Sequence, residues 1–243
     1  MLANAGAALV AASLEDTAAI VKALEGATSL FAMTVPSGGA DAETRQGIAA
    51  ADAAKAAGVH LVFTSVGSAN RQTGIPHFDS KYDVEKHIAK VGVRATILAP
   101  VSFMENLYFA KEQLAKGIYA APLPPTRVLE QVAVADIGAV AVRVLEDAGR
   151  FAGKRFDLAS DELTGNDAVA ILLRVTGRPF TYYQVPLDVI RQHMGEHAAR
   201  MYEWFDRVGF TVDRAALHRE FPDVAFHDFE SWAKMQDWNV LLH

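Results

Sequence analysis

The first two thirds of the chain alternate short, continuous apolar runs with longer stretches in which apolar positions recur every three or four residues. Residues 8–12 (ALVAA), 29–35 (SLFAMTV), 60–66 (HLVFTSV) and 94–99 (RATILA) read as buried strands. Between them, residues 14–24, 41–57 and 80–91 carry helical spacing, and Gly26, Gly58 and Gly92 follow where C-terminal caps belong. Strand, helix and strand repeated with short turns predict a parallel sheet covered on both faces, an α/β architecture.

After Pro100 the pattern changes. A helix-like stretch at 103–115 leads to a proline-rich loop at 122–125 and then to QVAVADIGAVAVRVLED. In that run Val132 and Val134 fit a strand, and Asp136 is placed to cap a helix reaching Leu145. RFDLA and FTYYQV read as strands on either side of a helix at 166–175. From Leu187 the composition shifts, and 12 of the 22 aromatic residues lie at or beyond Phe180. Residues 1–179 are therefore expected to form one domain. Residues 180–243 are expected to form a small, mainly helical C-terminal lobe that is not fully independent.

With 243 residues, 51% of them hydrophobic, the chain can bury a full core. Its formal charge of −6 and its lack of any basic run argue against direct nucleic-acid binding. There is no cysteine, which excludes disulfides, thiolate metal sites and a cysteine nucleophile, and fits a cytoplasmic protein. The apolar opening lacks a basic n-region, and no run approaches the ~20 apolar residues of a membrane span, so no membrane partner is expected.

One charge sits awkwardly. In GIPHFDSKYDVEKHIAK, Ser80 and Asp83 resemble a capping box, and Val84, Ile88 and Val91 form a buried stripe. Lys81, three before Val84 and seven before Ile88, falls on the same stripe, at the end of the helix dipole that disfavours a cation. Either its head snorkels to water or the charge has something to hold. The acidic run DAETRQG opens the helix at 41–57 and reads as capping of that helix's dipole.

The segments GAALVAASLEDT, LFAMTVP, AAKAAGVHLVFTSV, GIPHFDSKYDVEKHI, LAPVSFMENL, VADIGAVA and LTGNDAVAILLRVTGRP, in this order, resemble the NmrA-like family, an atypical branch of the short-chain dehydrogenase/reductases. The resemblance spans nearly the whole chain and implies a Rossmann-like sheet that binds NADP or NAD, with NADP favoured. It places Ser13 and Leu14 near the adenine, Met33, Thr34 and Val35 along the ribose and phosphates, and Lys81 with Phe103, Met104, Glu105 and Asn106 toward the nicotinamide. Ser65 would orient a substrate carbonyl, its alternative being a cap. Where typical superfamily members carry a catalytic tyrosine, four residues before the lysine, this chain has His77, which either relays a proton or is a loop residue. The implied activity is NAD(P)-dependent reduction of small carbonyl or quinone-like compounds. The alternative is a non-catalytic, NADP(H)-sensing protein that regulates a protein partner.

Family members also carry a glycine-rich turn that holds the dinucleotide pyrophosphate. Here no two of the 17 glycines are separated by one or two residues. The first residues resemble the end of the family's second helix and its third strand, so the domain is expected to be incomplete at its N-terminus. Its exposed strand edges are expected to favour homo-oligomerisation. A rival of another class is HMGEH, where His193, Glu196 and His197 match the order of a zinc hydrolase motif that needs one continuous helix; its alternative is a solvated helix face.

Overall fold

The computed structural model describes residues 3–242. Met1, Leu2 and His243, at the ends of the two expected domains, lie outside the described residues. The elements are α1 (Thr17–Ala23), β1 (Ser29–Ala32), α2 (Gly39–Ala57), β2 (His60–Thr64), α3 (Pro76–Val91), β3 (Ala95–Pro100), β4 (Ser102–Phe103) and α4 (Lys111–Ala115). They continue as β5 (Ile118–Ala121), β6 (Leu129–Val132), α5 (Val134–Glu146), α6 (Ala148–Phe151), β7 (Arg155–Leu158), β8 (Asp161–Leu163) and α7 (Gly165–Thr176). The chain finishes with β9 (Thr181–Gln184), α8 (Leu187–Met194), α9 (Glu196–Arg207), α10 (Arg214–Glu220), α11 (Phe229–Lys234) and α12 (Trp238–Leu242).

The main sheet is parallel, in the order β1-β2-β3-β7. Every residue of β2 is buried because both faces are covered. Leu61 and Phe63 pack against Ala50, Ala54, Val84 and Ile88 of α2 and α3, while Val62 on the opposite face meets Val140 and Val144 of α5. Two small sheets, β4-β6-β8 and β5-β9, follow. The C-terminal helices pack onto the same cores: Leu217 and Phe221 join Val62 and Leu98, Phe205 joins Phe78, and Phe229 and Trp232 join Met104 and Leu163.

The structure corrects several local expectations. Residues 8–12 form no strand: they are exposed and make no backbone hydrogen bond. A strand exists only by pairing, and this run finds no partner. The stretch at 103–115 is not one helix; it divides into β4, a 3-10 segment (Met104–Ala110) and α4. Ser80 is no cap, because α3 starts earlier, with Ile75 as N-cap and Pro76 at its first position. His77 accordingly lies in the first turn of α3 and not in a loop. Asp136 does not cap α5, whose N-cap is Ala133. Almost wholly buried, it accepts hydrogen bonds from Ser160 Oγ and from the His227 N–H at 2.9 Å, and it pairs with the His227 ring. The HMGEH helix is broken: Gly195, at φ 90°, separates α8 from α9 and so places His193 and His197 on different helices. Glu196 is spent on Arg191 and Arg200, and the described residues contain no cluster of three metal-ligating side chains. The two histidines therefore do not share the single helix face on which the expectation rested.

Candidate functional site

The C-terminal ends of β1 and β2 lie where α2 and α3 pack most closely. Gly47 of α2 makes this approach possible, since a Cβ there would lie 2.4 Å from Val84 Cγ2 of α3. One turn before Gly47 stands Glu43, and three residues before Val84 stands Lys81. The two helices thereby bring an acid and a base together above the strand ends.

Glu43 is 3% exposed, and the Lys81 side chain 12%. Lys81 Nζ lies 3.2 Å from Glu43 Oε1, donates to Thr34 Oγ1, and donates to the Thr64 carbonyl at 3.3 Å. Its stem also lies against the Phe63 ring, 5.6 Å from the ring centroid to Nζ. Thr34 in turn donates to Glu43 Oε1 at 3.1 Å, and Ser80 donates to Oε2 at 2.8 Å. Lys81 thus makes two hydrogen bonds and one ion pair inside the protein. Burial lowers the Lys81 pKa, and the Glu43 carboxylate opposes that shift by its charge and its hydrogen bond.

The adjoining polar groups are spent in the same way. Ser65 Oγ donates to Glu85, whose other oxygen meets Arg155 Nε at 3.1 Å. Arg155 also holds Asp157 and the Val66 carbonyl, and Asp157 accepts from the Ser68 amide at 3.2 Å. Gln46 anchors the loop after β1 by accepting from the Val35 N–H at 2.9 Å.

Thr34 and Lys81 are therefore in direct contact, and Lys81 also reaches the Thr64 carbonyl just before Ser65. Met33 and Val35 are exposed on either side of buried Thr34. Ser13 and Leu14 are exposed, and Ser13 Oγ accepts from the Glu15 N–H. In the 103–106 run, Phe103 and Asn106 are exposed, while Met104 is core. Glu105 accepts from the first N–H of α5, at Val134, and from the Trp232 indole at 3.0 Å. His77 is half-buried, its ring 6.4 Å from that of His197 on α9. Burial lowers its pKa, with the Glu43 charge opposing and the charges on His197 and Lys81 reinforcing. Two surface concavities lie apart from Lys81, one lined by Arg143, Arg150 and Glu220, the other by Gln72, Tyr82 and Lys86.

Glu43, Glu85 and Arg155 were not among the residues expected at the site. Glu43 had a readable signal. Residues 43, 47, 50 and 54 recur at helical spacing, and the last three are small, so Glu43 lies on a buried stripe just as Lys81 does. For Glu85 and Arg155, which are far apart in sequence, no local pattern announces the pair.

The parallel sheet, the helices on both faces and the polar cluster at the strand ends define a Rossmann-like α/β protein. The sequence model of the NmrA-like family matches residues 1–233, and the chain belongs to that family. A Neurospora crassa protein named nitrogen metabolite repression protein nmr is 31% identical over 163 residues. That match covers 60% of this chain, which spans 33% of the Neurospora protein's length. The fold is shared with an NADPH-dependent quinone oxidoreductase from Escherichia coli complexed with NADPH, at TM-score 0.81 and 23% identity over 96% of this chain and 84% of that one. It is shared too with NmrA, a negative transcriptional regulator solved with NADP, at TM-score 0.72 and 22% identity over 94% and 80% of the two chains.

A dinucleotide needs donors for its pyrophosphate and its ribose hydroxyls. Here Lys81, the Ser65 hydroxyl and the Ser68 amide serve internal acceptors.

Proposed function

We propose that this chain is a regulatory, non-catalytic member of the NmrA-like family, one that acts by engaging a protein partner. The observation that carries this reading is the internally engaged Lys81: its charge is answered by Glu43, and it donates to Thr34 and to the Thr64 carbonyl. A lysine held in this way must give up internal contacts before it can meet a substrate or a ribose. The proton relay that reduction would require is equally poorly supplied, because burial favours the neutral form of His77. The name of the Neurospora relative, a repression protein, supports the same reading.

The second reading is an NAD(P)-dependent reductase of quinone-like or small carbonyl compounds. It is favoured by exposed apolar Met33, Val35 and Phe103, side chains suited to a flat hydrophobic ring. Turnover separates the two. With NADPH and a panel of quinones, the regulatory reading expects NADPH oxidation no faster than the protein-free rate. Saturable, protein-dependent oxidation would overturn it in favour of the reductase.

A further inference from the structure

His60 opens β2 and is wholly buried. By strand alternation it shares the face of Val62, turned away from α2 and α3. Its ring meets the Thr96 hydroxyl of β3, with 3.0 Å between Nε2 and Oγ1. That hydroxyl donates its single proton to the Phe151 carbonyl at 2.8 Å. Thr96 must therefore accept from His60, so Nε2 carries the ring proton and Nδ1 is a bare lone pair. Nδ1 is closed off from water and has no hydrogen-bond partner among the described residues.

A second proton on this ring would create an N–H with no acceptor and a charge inside a closed core. The surrounding charges give it no carboxylate. Arg94, just before β3, joins burial in holding the His60 pKa below the ordinary histidine range. On the α6 side, Arg150 Cζ and Lys154 Nζ lie 4.9 and 5.6 Å from the Phe151 ring centroid. On α5, Arg143 pairs with Glu146 and Asp136 with His227, and β1 carries no charge.

The far end of this chain of bonds seats a C-terminal helix. Phe151, the last residue of α6, is buried and stacks on Phe221, the C-cap of α10, with ring centroids 5.2 Å apart. Beside it, Arg150 donates to the Glu220 carbonyl at 3.0 Å, and Lys154 Nζ lies 3.1 Å from Glu220 Oε1. The α6 turn is thus the ledge on which α10 rests, and the His60–Thr96 pair ties that ledge to the middle of the sheet.

We propose that His60 is a proton-triggered latch: when its ring takes up a second proton, the His60–Thr96–Phe151 chain breaks, α6 lifts from β2 and β3, and α10 loses its seat. Mild acid then releases this part of the C-terminal region while α2 and α3 stay packed. The closed state requires neutral His60, so the latch is complete above about pH 6.5 and weakens as the pH falls below it. The hydrogen bond from Lys154 lowers the Glu220 pKa, so that contact outlasts the window in which the histidine titrates. The inference uses none of the residues around Lys81 and does not rest on the regulatory reading.

The test is hydrogen exchange of the full chain at pH 7 and pH 5.5, corrected for the intrinsic rate. Amides of residues 148–158 and 214–221 should lose protection by up to about tenfold per pH unit, the limit set by one proton, while residues 41–57 and 80–91 keep theirs. His60→Leu has no ring to protonate and should keep protection in both segments at both pH values. His60→Gln, which can still donate to Thr96, should behave in the same way and serves if the leucine variant does not fold. Protection that is unchanged in the wild type overturns the proposal. So does an acid-induced loss that the variants share, or one spread equally over α2 and α3.

Discussion

Lys81 and Glu43 each stand on a buried helical stripe, and neither charge would be tolerated there alone. Together they form one unit with Thr34 and Ser80, in which every donor and carboxylate oxygen has a partner. Such a pair adds little net stability over well-packed apolar residues, yet removing one partner strands the other. Glu43→Ala should therefore cost about 3 kcal/mol in urea unfolding, and the double variant Glu43→Ala with Lys81→Met should be more stable than Glu43→Ala alone. Additive losses in this cycle would show that the two side chains are not coupled. Lys81 was legible in the sequence as a charge requiring a partner. The partner was not identified, because acidic residues in a first turn also serve the helix dipole, and sequence spacing does not distinguish the two uses.

At the scale of elements, the α2–α3 contact sets the site. Gly47 is the position where the helices touch, and the Glu43–Lys81 pair lies one turn away. Gly47→Ala should force Val84 aside, cost on the order of 1–3 kcal/mol, and loosen the pair next to it. A thermal or urea midpoint at or above wild type would show that the helices absorb the methyl without moving. Elements defined by their own periodicity were readable: α2, α3, β2 and β3 lie close to where spacing and glycine caps place them. Elements defined by distant partners were not. Residues 8–12 have the composition of a strand and no strand beside them, and a glycine with φ 90° ends the HMGEH helix. Asp136, read as a cap, ties α5 to His227 across 91 residues, a link that local pattern cannot show.

In the whole molecule, the C-terminal helices lie on the cores of the sheet domain, and the polar groups at the strand ends are turned inward on one another. Glu43 holds Lys81, Glu85 holds Ser65 and Arg155, Asp157 holds the Ser68 amide, and Glu105 holds α5 and Trp232. The family fold is retained, and these polar groups are committed to one another. The most direct test is a calorimetric titration of the wild-type chain with NADPH. A closed, internally satisfied site predicts no saturable heat at micromolar protein. Stoichiometric, saturable binding at that concentration would contradict it and show that the Glu43–Lys81 pair yields to a dinucleotide.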